Sequence, residues 1–142
     1  MKQQLFFICT AVLLYLNSCS KDKDLDQKTG DNQVIVSTDE YYNTANNQIT
    51  ISALEINDNC LKITVTAGGC DGSTWIVRLI CSEEIMYSYP PQRNIKISFQ
   101  NNEKCRALIT KEFSFDITDL QVSDNQIYLN IVNTGNQILY EY

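Results

Sequence analysis

Histidine is absent from all 142 residues of this chain. That removes the commonest general base, metal ligand and physiological pH switch. Positive charge is also scarce: 11 Lys and Arg face 17 Asp and Glu, for a net charge of -6. Nucleic-acid affinity rests on clustered Lys and Arg, so a phosphate-backbone binder is excluded. Only 5 glycines and 2 prolines punctuate the chain. No apolar run reaches the ~20 residues that a membrane-spanning helix needs. The longest, Leu5 to Leu16, has 12. A length of 142 residues leaves room for one domain rather than two.

What the N-terminus does contain reads as a secretion signal. Met1-Lys2-Gln3-Gln4 is short, positive and free of acids, and the apolar run follows it directly. Leu16-Asn17-Ser18-Cys19 sets a small residue before a cysteine and a leucine three positions ahead of it. This resembles a bacterial lipobox, which implies removal of residues 1–18 (Cys9 with them) and acyl chains such as palmitate on Cys19. Each buried methylene contributes about 0.8 kcal/mol, so several chains on one cysteine hold a protein firmly to a bilayer. Residues 19–32 follow as a flexible tether, opening on Ser20-Lys21-Asp22-Lys23-Asp24-Leu25-Asp26, which is charged and nearly free of apolar groups. Acids directly after the acylated cysteine resemble the surface-export signal of Bacteroidota lipoproteins. That implies an outer-membrane protein displayed on the cell surface, with the periplasmic face of the same membrane as the alternative. Asp22, Asp24 and Asp26 also imitate the start of an EF-hand loop, but Gln27 and Gln33 stand where that loop needs Gly and Glu.

Residues 33–142 are expected to form a single domain. They show no sustained helical period. Short alternating sets recur instead: Ile49/Ile51 with a shift of phase at Leu54/Ile56, Leu61/Ile63/Val65, Trp75/Val77/Leu79, Ile95/Ile97/Phe99, Phe113/Phe115/Ile117, Ile127/Leu129/Ile131, and Ile138/Tyr140/Tyr142. The phase shift suggests a β-bulge. Turn residues sit between the sets at Gly68–Ser73 and Asn133–Asn136, and Pro90-Pro91 marks a loop or a sheet-edge crossing. Seven or eight strands of this kind predict an all-β fold, an antiparallel β-sandwich of immunoglobulin-like type, with a small β-barrel as the rival.

Export permits disulfides, and the four cysteines of the body allow three connectivities. If Leu61–Val65 and Trp75–Leu79 form a hairpin with both apolar sets inward, opposed residues sum to an even number. Cys60 and Cys81 sum to an odd one, which weakens a direct bridge between them. Cys70, in a loop, is freer to reach Cys105 at the start of another strand. The expectation is therefore Cys70–Cys105, with Cys60–Cys81 as the remainder if all four pair.

Catalysis finds no support. Cys70-Asp71-Gly72-Ser73-Thr74-Trp75 has a partial likeness to a cysteine-protease nucleophile motif, but no histidine exists to activate the thiol. No Gly-Lys-Ser/Thr follows for a phosphate cradle, and the cysteine spacings of 10, 11 and 24 are too long for a zinc site. Glu83 and Glu84 are adjacent and point to opposite faces of a strand. Asp116, Asp119 and Asp124 fit turn caps better than a calcium site. No cofactor and no metal are expected. The surplus is aromatic. Tyr41, Tyr42, Tyr87, Tyr89, Tyr140 and Tyr142 lie near strand ends or loops, and exposed tyrosines bury large area at low entropic cost when they bind. Trp75, Tyr87, Tyr89 and Arg93 (after Pro90-Pro91-Gln92) are the candidate contact residues.

From Leu54 to Tyr142 the order of features resembles uncharacterised small lipoproteins of Bacteroidota. The features are the Gly-Cys-Asp-Gly-Ser-Thr-Trp turn, the Pro-Pro-Gln-Arg-Asn loop, the Cys-Arg-Ala strand start and the Ile-Leu-Tyr-Glu-Tyr end. The resemblance implies a location and a sandwich, and carries no activity. The functional expectation is a non-enzymatic binding or accessory module, held to the membrane through Cys19, that contacts an envelope protein or a glycan. A structural envelope lipoprotein and a protease-inhibitor-like module using the Pro90–Asn94 loop are the alternatives.

Overall fold

The computed structural model of the chain describes residues 33–45 and 49–142. The expected signal peptide, Cys19 and the expected tether lie outside them. Among the described residues, eight strands form two sheets. In chain order they are β1 (Ile35–Val36), β2 (Thr50–Asn57), β3 (Cys60–Gly69), β4 (Ile76–Cys81), β5 (Gln92–Gln100), β6 (Ala107–Asp116), β7 (Gln126–Ile131) and β8 (Asn136–Glu141). One sheet runs β1-β4-β5-β7-β8 and the other β2-β3-β6. Among the described residues neither sheet closes on itself, so the barrel alternative is overturned. The five-stranded sheet is also mixed rather than antiparallel throughout. β1 pairs parallel with β4, and β5 with β7, because the chain crosses to the other sheet between β5 and β7.

The alternating sets become the inward faces. Leu61, Ile63 and Val65 from β3 and Phe113 and Phe115 from β6 meet Val77 and Leu79, Ile95 and Ile97, and Ile127 and Leu129 in one buried cluster. β-branched side chains suit this role because they pack well on a pleated surface. The change of phase in β2 is a register shift between Ile51 and Ala53, as the sequence suggested. Gly135 turns β7 into β8 at φ +74, and Gly72 sits at φ +70 in the 70–75 loop. These are conformations in which a Cβ is strained.

Two features depart from expectation. β3 and β4 do not form a hairpin: β3 pairs with β2 and β6, and β4 with β1 and β5. The chain between them crosses from one sheet to the other, as a glycine-rich segment with buried Trp75 permits. A helix, α1 (Thr38–Asn43), also appears, too short to leave a period in the sequence. Ser37 caps it by accepting a hydrogen bond from the Glu40 amide, and Asp39 and Glu40 occupy its first turn.

The molecule has two distinct ends. At one, Cys70 is bonded to Cys105, closing a span of 35 residues. On the chain-entropy account that contributes about 4 kcal/mol. Beside the bond, the Glu103 carboxylate accepts from the amides of Cys70, Asp71 (3.2 Å), Gly72 (3.0 Å) and Thr74 (3.3 Å) and from the Thr74 hydroxyl (3.1 Å). Partial burial pushes its pKa up, but the hydrogen bonds from Gly72, Cys70 and Thr74 outweigh this and hold it at about 2. At the other end Cys60 pairs with Asp116, and Val34 donates to the Asp116 carbonyl. Cys81 closes β4 at the same end, with a free, buried thiol. The Cys60–Cys81 bridge is not formed: Cys81 is a free thiol, whereas Cys60 is itself disulfide-bonded.

Two outcomes follow. Truncating the middle of the core, as in Ile63→Ala, should cost about 2–5 kcal/mol in urea unfolding, with little change in the slope. For Glu103, a folded pKa below its usual 4.5 means stability that is present above that value and is lost as pH falls toward about 2. Glu103→Gln should lower the melting temperature at neutral pH and flatten the acid limb in that window. Parallel curves for the two proteins would show that the carboxylate does not hold the loop.

Candidate functional site

The four contact residues expected from the sequence separate into two pairs. Trp75 is buried, 1% exposed, and packs edge-on against Phe99 with ring centroids 5.2 Å apart. It belongs to the core beneath the 70–75 loop. Arg93 is 8% exposed and faces inward in the same parity as Ile95 and Ile97. Its Nη1 donates to the Ser82 carbonyl at 3.2 Å, while its Nε finds no partner. Both corrections have a physical cause. β5 begins at Gln92, so Arg93 is a strand residue rather than the tip of a proline loop. Tyr87 and Tyr89, by contrast, are 94% and 90% exposed. Of the other tyrosines singled out, Tyr41 and Tyr140 are buried and Tyr42 is 62% exposed.

The exposed pair stands on the 82–91 segment between β4 and β5, which is well fastened. Met86 and Gln92 exchange backbone hydrogen bonds of 2.9 and 3.0 Å, so the segment folds into a small closed loop. Inside it Ser88 donates through its hydroxyl to the Pro90 carbonyl at 2.6 Å, and Tyr89–Pro90 is cis. Two contacts tie its base to α1: Thr38 donates to Glu83 at 3.0 Å, and the Tyr42 hydroxyl to Glu84 at 3.3 Å. The Glu84 carboxylate, by its charge and this hydrogen bond, pushes the Tyr42 phenol above its usual pKa.

Beside the loop lies the outer face of the five-stranded sheet. Alternation that turns Arg93, Ile95, Ile127, Leu129 and Ile131 inward must turn Gln92, Asn94, Tyr128 and Asn130 outward. Half of the face is covered. α1 packs over β4, where Ile80 is fully buried although it lies outside the main core cluster. Lys96 fixes the helix by donating to the carbonyls of Tyr41 (2.6 Å) and Thr44 (3.1 Å), with its ammonium 4.5 Å from the centre of the Tyr41 ring. Arg78 adds an ion pair with Glu40 at 3.1 Å.

Among the described residues nothing covers the half over β5, β7 and β8, which carries side-chain amides. Asn130 donates to Gln92 Oε1 (3.1 Å) and Asn94 Oδ1 (3.2 Å). Gln137 donates to Asn130 Oδ1 at 2.7 Å, and Gln92 Nε2 to the Ser88 hydroxyl at 3.0 Å. The network thus runs from the tyrosine loop to the sheet edge. Register places Tyr128 between Gln92 and Leu139, and Asn130 between Asn94 and Gln137. None of these groups is charged. The sequence offered Gln92 and Asn94 only as part of the Pro90–Asn94 loop, and gave no sign of Tyr128, Asn130 or Gln137. The outward parity was readable, but which outward residues become neighbours depends on strand order, and the parallel β5–β7 pairing left no local trace.

No protein-family model matches the chain, and neither does any curated protein. Among solved structures, the chain is similar to a protein of unknown function, DUF1344, from Bacteroides vulgatus. The TM-score is 0.52 at 17% identity, with 82% of this chain and 56% of that one covered. The likeness is one of fold.

Beneath the loop, Cys81 lies close to Arg93. Burial pushes the thiol up to about 11, against the opposing pull of the Arg93 guanidinium. Its Sγ sits 3.2 Å from the Ser82 carbonyl. A buried, protonated thiol is a poor nucleophile. Cys81 should resist iodoacetamide in the folded protein at pH 8 and react readily in denaturant, as peptide mapping would show. Because its pKa is raised on folding, the protein should also lose stability as pH climbs from 9 toward 11, and Cys81→Ala should remove that part of the loss.

Proposed function

We propose that the chain is a non-catalytic binding module, anchored in the outer membrane through acyl chains on Cys19 and displayed at the cell surface. Its two sheets are read as an immunoglobulin-like sandwich that carries the binding surface on one outer face. The observation that carries this reading is the pair Tyr87 and Tyr89, almost wholly exposed on a loop whose base is tied down by hydrogen bonds. Exposed tyrosines bury large area at low entropic cost on binding, and the fastened loop presents this pair already ordered. The lipobox-like Leu16-Asn17-Ser18-Cys19 supports the anchor, and the charged residues after it support surface display.

The geometry adds direction. Gln33 and Val34 meet β6 at its Asp116 end, and β1 then runs beside the last residues of β4. The 82–91 loop leaves that same end of β4. The described residues therefore begin at the same end of the domain as the 82–91 loop.

Growth with an alkyne-labelled fatty acid should mark the protein, and Cys19→Ser should abolish both the label and membrane retention. A photo-crosslinking amino acid in place of Tyr87 should then capture material from intact cells, whereas the same probe at Asp58, in the turn between β2 and β3, should not. An unlabelled protein would remove the anchor from the reading. Equal capture at both positions would remove the loop.

A further inference from the structure

Among the described residues, the half of the outer face over β5, β7 and β8 has a chemistry of its own. On this face the two rows that cross β5, β7 and β8 hold four amides, one tyrosine and one leucine, and no Asp, Glu, Lys or Arg. The amides are also prearranged. Asn130 is held between Gln92, Asn94 and Gln137 by bonds of 2.7 to 3.2 Å, so their orientations are set before any ligand arrives.

We infer that this face is a binding site for a neutral glycan, lying across β5, β7 and β8 with its far end against the 82–91 loop. The inference rests on the binding-module reading and names its ligand class. The argument is one of complementarity. A side-chain amide offers a donor and an acceptor side by side, which is what the paired hydroxyls of a sugar present. Each Asn and Gln here uses only part of that capacity on its neighbours, which leaves valences for a ligand. The strands lie about 4.8 Å apart, a step comparable with one pyranose unit in an extended chain, so successive sugars would meet successive strands. Tyr128 lies within the rows, and the exposed Tyr87 follows Met86, which pairs with Gln92; both can offer aromatic faces to the apolar side of a sugar ring. Charge selects against the competing ligand. Glu141, opposite Gln126 on the neighbouring row, sets a negative charge at the border of the uncharged area and repels uronic or sulfated chains and polyphosphate. An extended peptide is served less well, because its main chain pairs with free strand edges rather than with side chains on a sheet face.

The test is affinity electrophoresis of the full lipoprotein in detergent, through gels holding soluble neutral β-glucan, mannan or xylan, with polygalacturonate and dextran sulfate as the anionic set. At least one neutral polymer should retard the protein, with little dependence on salt. Gln137→Ala, at an exposed position, should weaken that retardation at least tenfold, and Asn130→Ala more. Asp124→Asn, off the face, should leave it unchanged. If Asn130→Ala loses its fold by thermal melting, Gln137→Ala and Asn94→Ala decide. Absence of retardation in every neutral gel overturns the inference, as does retardation indifferent to Gln137→Ala or confined to the anionic set. A crosslinked protein partner at Tyr87 without glycan retention would overturn it while leaving the binding-module reading intact. Loss of the acyl label alone would overturn the anchor and leave glycan binding standing.

Discussion

Everything else in the molecule depends on the contact between the inward faces of the two sheets. Leu61, Ile63, Val65, Phe113 and Phe115 on one side and the aliphatic rows of β4, β5 and β7 on the other are almost fully removed from water. At about 25 cal/mol per Å² of apolar area this is the dominant favourable term, and it is indifferent to which polar groups stand on the reverse of each strand. Yet it dictates where they stand. A strand has only two sides, so committing Arg93, Ile95 and Ile97 to the interior commits Gln92, Asn94 and Lys96 to the outer face. Core formation thereby assembles the amide rows as a by-product of its own parity.

That coupling explains how much could be read in advance. The seven alternating sets are the seven inward faces, and the shift of phase in β2 is a bulge where one was expected. The pairing of Cys70 with Cys105 was also legible, because a loop cysteine near a strand start has few other places to go. What local pattern does not encode is which strand lies beside which. The supposed hairpin of β3 and β4 failed for this reason; the Cys60–Cys81 bridge, which the parity of that hairpin already disfavoured, is absent as well. Arg93 shows a related difficulty. An arginine after two prolines looks like a loop tip, and only the start of β5 at Gln92 turns it inward. Glu103 left no signal, since its partners are backbone amides some thirty positions away.

The two outer faces of the domain have been treated differently by the chain. Over the three-stranded sheet, hydroxyls form a cross-strand row, with Ser52, Thr66 and Thr110 linked at 2.7 and 3.0 Å, and Lys62 pairs with Glu112. These are ordinary solvated side chains on a surface. Over the five-stranded sheet, six residues of helix cover one half and withhold cover from the other. Lys96 marks the boundary, since its ammonium is spent on the helix carbonyls and the cation–π contact with Tyr41 rather than on the open side.

The clamp at the opposite end has a consequence of its own. Successive backbone amides of a glycine-rich turn make a concave nest that attracts anions. In another setting, Cys70 to Thr74 would serve a phosphate or a carboxylate arriving from solution. Here the anion is supplied from within, on a side chain two positions from the disulfide that pins its loop to the nest. Tethering of that kind raises effective concentration far beyond that of any dissolved competitor. The nest is therefore a saturated site, self-inhibited by covalent attachment of its occupant, and reduction of the Cys70–Cys105 bond would lower the occupant's local concentration without removing it.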